Sequence, residues 1–111
     1  VEVMGRQTGW IAVGCGIASG ADAVLIPEVP LKVEQICDVI VKRKARGRTF
    51  SIVVVAEGAK LITEKGESLV TQSDAKDAFG HARLGGIGAA LAQEIERRTG
   101  METRVTVLGH V

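Results

Sequence analysis

Three side chains with complementary chemistry lie within two residues of the ends of short apolar runs of this chain: Arg6, Glu57 and His110. A guanidinium binds phosphate oxygens through charge-assisted, often bidentate hydrogen bonds. A carboxylate accepts hydrogen bonds from hydroxyl groups, and an imidazole can donate to an anion. If the runs are parallel strands, their carboxyl ends share one edge, which is where open α/β sheets bind ligands. The set suits a phosphorylated sugar, with Met4 and Gly5 immediately before Arg6.

Each of these three residues also has an ordinary structural interpretation. Arg6 could be a surface arginine, Glu57 a helix cap or ion-pair partner, and His110 a histidine satisfied at a strand end. The loop from Arg6 to Gly9 precedes a helix-like stretch, however, and the N-terminal amides of a helix favour phosphate. The edge therefore remains the first candidate for anion binding.

Arg104 lies at the opposite end of its apolar run from His110. The six residue steps from Arg104 to His110, at about 3.3 Å each, place the two about 20 Å apart. Arg104 cannot easily serve the same site within one chain. If it is functional, we expect it to serve the site of a neighbouring subunit.

A second group of residues collects on that opposite edge: Gly20, Asp22, Arg46 and Arg48. Arginines beside an acid can bind an anion or a metal–phosphate complex. Such groups are also common on solvated surfaces, and spacing alone leaves both interpretations open.

Other patterns argue against several kinds of site. Gly14, Gly16 and Gly20 resemble a dinucleotide fingerprint, but the spacing is one residue too long and they lie within a helix-like stretch. Small residues for close helix–sheet packing explain them better. Two cysteines and two widely spaced histidines provide no metal-site spacing, so no metal ligand is predicted. Cys15 and Cys37 are expected to be buried free thiols, with a disulfide left open.

Length and composition limit the function classes. The chain has 111 residues, 46% apolar and 24% charged, which is the balance of one soluble globular domain. A formal net charge of +1, with one Trp and two Phe, provides no basic or aromatic surface for nucleic acid. No apolar run approaches the roughly 20 residues that span a bilayer. Because the chain starts inside an apolar run, we expect it to be part of a longer protein.

The elements that must position these residues alternate along the chain. Four strand-like runs are predicted at Val1 to Met4, Ala23 to Ile26, Ser51 to Ala56 and Thr103 to Leu108. Three helices are predicted at Gly9 to Ser19, Val33 to Lys44 and Gly85 to Thr99. Alternation with unbroken apolar strands predicts a three-layer α/β/α sandwich with a mainly parallel sheet. The exception is the polar stretch from Glu57 to Leu84, where Leu61–Ile62 and Leu69–Val70 could form a small hairpin.

Four segments together resemble the phosphofructokinase family over the whole chain. They are Val-Glu-Val-Met-Gly-Arg with Thr-Gly-Trp-Ile-Ala, Gly-Ala-Asp-Ala-Val-Leu-Ile-Pro-Glu, Val-Val-Ala-Glu-Gly, and Glu-Thr-Arg-Val-Thr-Val-Leu-Gly-His. Any one is weak, but four in order at compatible spacing are specific. The resemblance implies that residues 1–111 are the fructose 6-phosphate-binding domain, a Rossmann-like half of a phosphofructokinase.

The resemblance also implies residue roles at the first edge. Met4, Gly5 and Arg6 would contact fructose 6-phosphate. Arg6 would in addition be catalytic, stabilising charge on the transferred phosphoryl group. Glu57 would hydrogen-bond sugar hydroxyls, and His110 would face the sugar phosphate.

The opposite edge acquires roles by the same resemblance. Arg104 would cross a subunit interface to the 6-phosphate in the neighbour's site. Gly20, Asp22, Arg46 and Arg48 match effector-site positions in the short bacterial branch of the family. The stretch from Glu57 to Leu84 instead resembles the longer branch, which includes pyrophosphate-dependent members.

The implied whole enzyme transfers a phosphoryl group from ATP or pyrophosphate to the 1-hydroxyl of fructose 6-phosphate in glycolysis. Mg²⁺ and the donor would bind a nucleotide domain that these residues do not include, so the isolated chain is expected to be inactive. We expect a cytoplasmic homodimer or homotetramer without nucleic-acid or membrane partners. The alternatives are a non-catalytic sugar-phosphate sensor of the same fold and an unrelated nucleotide-binding domain.

Overall fold

A computed structural model describes residues 1–63 and 86–109 of the chain. The elements, in chain order, are β1 (Glu2–Val3), α1 (Trp10–Ser19), β2 (Ala23–Leu25), β3 (Leu31–Lys32), α2 (Val33–Ala45), β4 (Val53–Ala56), β5 (Leu61–Ile62) and α3 (Ile87–Thr99). The three helices lie where hydrophobic periodicity places them, within two residues at each end.

The main sheet has the strand order β1–β4–β2, and both strand pairs are parallel. Val55 in β4 is opposite Glu2 on one side and Leu25 on the other. Because the strands run the same way, their carboxyl ends lie along one edge. The prediction of an α/β fold with a parallel sheet is confirmed.

The last predicted strand is shorter than expected. Only Val107 forms a bridge, parallel to Glu2, and two backbone hydrogen bonds of 2.8 Å join Glu2 to Thr106 and Leu108. The neighbour, β1, offers just two residues, and this run has no strand on its other side among the described residues. Pairing therefore stops after one bridge.

Helices cover both faces of the sheet. Val55, 2% exposed, packs in a cluster with Ile36 of α2 and Leu91 of α3. The preceding residue, Val54, packs on the opposite face of the sheet with Ala12 of α1. Alternating side chains of β4 thus serve two cores, as an unbroken apolar strand requires.

Helix α1 lies unusually close to the sheet because it consists of small and apolar residues. A Cβ on Gly16 would overlap the Val24 side chain, and a Cβ on Gly9 would overlap Ile26. The helix ends at Gly20, whose left-handed conformation (φ 67°, ψ 36°) suits a residue without a Cβ. Of the three glycines that resemble a dinucleotide fingerprint, Gly16 packs against the sheet and Gly20 ends the helix, whereas a Cβ on Gly14 would meet nothing within 4 Å.

A second small sheet pairs β3 with β5 in parallel, with Leu31 opposite Leu61. The sequence does not predict β3, because a two-residue strand shows no periodicity. It allows Leu61–Ile62 to form a small hairpin with Leu69–Val70. The second half of that hairpin lies outside the described residues, and the observed partner of β5 is β3.

A buried carboxylate joins β1 to α3. Glu2 is 8% exposed and accepts a hydrogen bond of 2.9 Å from the Gly88 amide in the first turn of α3. A Cβ on Gly86 would lie 2.6 Å from a Glu2 carboxylate oxygen, so a larger residue would displace the carboxylate. The N-terminus of a helix favours negative charge, which accounts for the acid at this position.

Charged groups also link α2 to α3. The Arg98 side chain, 15% exposed, lies 3.5 Å from Glu34 of α2 and 3.0 Å from Glu94 on its own helix. Hydrogen bonds from Arg97 and Arg98 hold the pKa of the Glu94 carboxyl below its ordinary value. The network ties the two helices that cover one face of the sheet.

Both cysteines are free thiols. Cys37 is buried, and desolvation by burial raises the pKa of its thiol, whereas Cys15 is half-buried. Within residues 1–63 and 86–109, no helix has the length and apolarity that crossing a membrane requires.

Candidate functional site

The chain segments that follow β1 and β4 lie side by side at the carboxyl edge of the sheet. The Glu57 amide donates to the Val3 carbonyl at 2.9 Å, and the Gly58 amide donates to the Gly5 carbonyl at 3.0 Å. Pairing thus continues beyond the strands. It brings Arg6 and Glu57 to the same rim, where the sequence predicts them.

The two charged side chains face each other loosely. The Arg6 Nε atom lies 3.8 Å from Glu57 Oε1, and Arg6 is 83% exposed against 31% for Glu57. The same carboxylate oxygen accepts a hydrogen bond from the Gly5 amide at 3.3 Å. Glu57 is therefore held by the loop, whereas the Arg6 guanidinium remains accessible to an anion. Met4, half-buried, lies in the bend just before this loop.

Two glycines allow this close approach. Gly5 has a φ of +138°, and a Cβ there would lie 2.6 Å from the Thr8 carbonyl oxygen. A Cβ on Gly58 would overlap the Arg6 carbonyl oxygen. Any larger residue at either position would displace the backbone that carries Arg6.

The start of α1 binds a carboxylate of the chain itself. The Gly9 amide donates to Glu28 Oε2 at 3.2 Å. The sequence predicts that the N-terminal amides of this helix favour phosphate, and the group found at Gly9 is the carboxylate of Glu28, from the turn that follows β2. The sequence signal was its position after Pro27, at the carboxyl end of a strand.

His110 lies outside the described residues, so its place at the rim stays a prediction. The chain leading to it runs beside β1, because the Leu108 amide donates to the Glu2 carbonyl at 2.8 Å. Arg104 precedes that bridge, towards the amino edge, and its side chain is 89% exposed. Its Nε atom lies 3.0 Å from Glu102. This placement agrees with an Arg104 that does not serve the Arg6 rim of its own chain.

In the second predicted group (Gly20, Asp22, Arg46 and Arg48), some residues hold the fold together and others line an accessible cleft. Asp22 accepts a hydrogen bond from the Ile52 amide at 2.8 Å and pairs with Arg43 at 2.8 Å. Arg43 also donates to the Phe50 carbonyl at 2.9 Å and lies over the Phe50 ring. One oxygen of Asp22 thus binds the backbone at Ile52, and the other binds the Arg43 side chain. Arg43 is not among the residues predicted for this group, although its place in the last turn of α2, near Arg46, was a usable signal.

A cleft of about 480 Å³ lies beside this pair. It is lined by Asp22, Val39, Lys42, Arg43, Arg46 and Arg48. Gly20, the fourth predicted member, ends α1 and is not in the lining. Four cations thus surround one acid that Arg43 already pairs, which leaves the cleft electropositive.

A second cavity, larger than this cleft, lies away from the Arg6 rim. About 890 Å³ opens between α2, α3, the amino end of β4 and residues 101–105, with walls that are mostly apolar, such as Ile40 and Leu91. Of the predicted site residues that the structure describes, Arg48 and Arg104 line this cavity. We locate the site at the Arg6 rim because charge and hydrogen-bonding groups converge there. Among residues 1–63 and 86–109, no cluster of three or more His, Cys, Asp or Glu side chains is arranged to hold a metal ion.

The fold and the rim define a class of protein: an open parallel α/β domain that presents its polar loops at the carboxyl ends of the strands. A family model described as phosphofructokinase matches residues 1–111. The chain belongs to the phosphofructokinase family.

Individual relatives agree with this assignment. An ATP-dependent 6-phosphofructokinase from Mycobacterium leprae is 49% identical over the whole chain, which covers 32% of that relative. A pyrophosphate–fructose 6-phosphate 1-phosphotransferase from Amycolatopsis methanolica is 50% identical over 99% of the chain and 31% of the relative. The crystal structure of Pichia pastoris phosphofructokinase in the T-state superposes with a TM-score of 0.66 at 34% identity, over 98% of this chain and 11% of that one. The chain thus spans about a third of the length of the two bacterial relatives.

Proposed function

We propose that this chain is the fructose 6-phosphate-binding part of a cytoplasmic 6-phosphofructokinase. The observation that carries the proposal is the pairing of Arg6 and Glu57 on one rim, 3.8 Å apart, in a chain of this family. The whole enzyme transfers a phosphoryl group to the 1-hydroxyl of fructose 6-phosphate. Met4 and Gly5 shape the loop against which the sugar lies.

Their opposite charges give Arg6 and Glu57 different roles at the rim. Phosphoryl transfer depends mostly on positioning and on stabilising the charge of the moving group. The exposed Arg6 guanidinium is free to turn from Glu57 towards that group. Glu57, held by the Gly5 amide, accepts hydrogen bonds from sugar hydroxyls. His110 completes the site at the sugar phosphate.

The donor and Mg²⁺ belong to another part of the enzyme in this proposal. The described residues lack a carboxylate cluster for the metal, so none of them is assigned as its ligand. The two bacterial relatives are named for different donors, ATP and pyrophosphate, at 49% and 50% identity. Assays must therefore compare both donors.

Shared sites between subunits form a further part of the proposal. Arg104 is 89% exposed, and Glu102, with which it pairs, is itself 74% exposed. The side chain can therefore extend to the 6-phosphate of a neighbouring subunit in a homodimer or homotetramer.

The electropositive cleft supports a second, regulatory role. We infer that Arg46 and Arg48 bind an anionic effector there, together with Lys42. Asp22 would act indirectly, by holding Arg43, while Gly20 would shape the end of α1 nearby. The four cations around one paired acid favour this role.

The test of the main proposal uses a full-length phosphofructokinase that contains this segment. Arg6→Ala should lower kcat by about 100-fold or more with either donor, because removing one charge-stabilising donor typically costs ~3–4 kcal/mol. KM for fructose 6-phosphate should rise less. Arg97→Ala, which removes an exposed arginine from α3, is the matched control and should leave kcat unchanged. An unchanged kcat in Arg6→Ala would contradict the assignment.

A further inference from the structure

The loop that carries Arg6 is short and is held at both ends. At its start, Gly5 exchanges hydrogen bonds with the β4 end, giving its amide to Glu57 at 3.3 Å and accepting from Gly58 at 3.0 Å. At its end, Gly9 gives its amide to Glu28 at 3.2 Å. Only residues 6–8 lie between these two attachment points. The position of Arg6 therefore depends on both.

Glu28 is presented by a tight turn at the end of β2. The Val29 amide donates to the Ile26 carbonyl at 3.3 Å, and these two residues form an antiparallel bridge. Pro27 is buried at the second position of this turn, where its ring presets the backbone. Gly9 lies directly against Ile26, where a Cβ would overlap the Ile26 side chain. The turn and the glycine together bring the Gly9 amide to the Glu28 carboxylate.

Helix α1 has no cap of its own that could replace this contact. Gly9 is its N-cap residue and provides no side-chain hydrogen bond, and the first turn contains no acid. In a capping box, a Glu or Gln three residues into the helix accepts from the N-cap amide. That position is Ala12 here, which has no acceptor. Glu28 performs this task from a different segment.

We propose that Glu28 is a positioning residue for Arg6. By holding the Gly9 amide, it fixes the end of the loop and so the distance from Arg6 to the reacting phosphoryl group. This inference rests on the proposed function. Glu28 itself contacts neither substrate nor donor, and its effect passes through the loop.

The experiment compares three Glu28 variants in the full-length enzyme. Glu28→Ala removes the acceptor and should lower kcat by about 10-fold or more, because a misplacement of ~1 Å can cost ~100-fold. KM for fructose 6-phosphate should change by less than about three-fold, because Arg6 acts mainly on the moving group. Glu28→Gln keeps an acceptor of the same length and should retain most of the rate. Glu28→Asp keeps the charge but withdraws the acceptor by one methylene, and should lose rate.

A double-mutant cycle separates positioning from a general structural effect. If Glu28 acts through Arg6, Glu28→Ala should lower kcat much less in an Arg6→Ala background than in the wild type. Asp38→Ala, which removes an exposed acid from α2, is the control and should leave kcat unchanged in both backgrounds. If Glu28→Ala does not fold, the kcat values of Glu28→Asp and Glu28→Gln are compared in the wild-type and Arg6→Ala backgrounds instead.

Two outcomes would overturn the inference. One is an equal loss of kcat in both backgrounds, and the other is a Glu28→Gln variant as slow as Glu28→Ala or Glu28→Asp. Failure of the proposed function looks different, because Arg6→Ala alone would then leave kcat unchanged.

Discussion

Gly58 provides the sharpest test of how closely the β4 end supports Arg6. In Gly58→Ala, the new Cβ would lie 2.6 Å from the Arg6 carbonyl carbon and 2.8 Å from its Cα, whereas ordinary contacts begin at 3.4 Å. The Arg6 backbone must therefore retreat by about 0.8 Å, and the carbonyl oxygen by more. Both clashing groups are backbone, so no side-chain rotation relieves the overlap.

The expected consequence is larger for activity than for stability. A displacement of ~1 Å at a catalytic group can cost ~100-fold in rate, so we expect kcat of the full-length enzyme to fall by about that factor. Overpacking of one methyl group typically costs ~1–3 kcal/mol of unfolding free energy. Steady-state kinetics with fructose 6-phosphate and urea unfolding measure the two effects separately.

Gly14→Ala is the matched control for Gly58→Ala. A Cβ on Gly14 would meet nothing within 4 Å, and the residue lies inside α1. Alanine is favoured over glycine in a helix by about 0.5–1 kcal/mol, so this variant should unfold at slightly higher urea with unchanged kcat. A Gly58→Ala enzyme with kcat within two-fold of the wild type would refute the reasoning that Arg6 needs this backbone position.

Three more predictions concern other parts of the molecule. Arg104→Ala should raise KM for fructose 6-phosphate, and co-expression with an Arg6→Ala chain should restore part of the activity; mixed oligomers without activity would exclude shared sites. The pKa of the Glu94 carboxyl is lower in the folded protein than in the unfolded chain. The ionised carboxylate therefore stabilises the fold at pH values above the pKa of an unfolded Glu, and this stabilisation is lost as the pH falls through the pKa of the folded protein. Urea midpoints from pH 7 to pH 3 should fall less in Glu94→Gln than in the wild type. Arg46→Ala should abolish the response of the enzyme to its anionic effector without changing basal kcat, and a response that persists would exclude the cleft as the effector site.

Local sequence determined the elements and the edge on which Arg6 and Glu57 meet. Helix α2 was predictable because apolar residues such as Ile36 and Ile40 recur at helical spacing, and β4 because its apolar run is unbroken. Both signals come from neighbours in the chain. Parallel order then follows from strand–helix alternation, and with it the common edge.

Tertiary structure alone decided which residues hold that edge in place. Glu28 reaches Gly9 across 19 positions, and Glu2 reaches Gly88 across 86. Asp22 pairs with Arg43, which lies 21 positions further along the chain. These contacts depend on how the β2 turn, the helices and the sheet come together in space. Since a hydrogen bond between distant segments leaves no periodic trace along the chain, only the folded molecule reveals it.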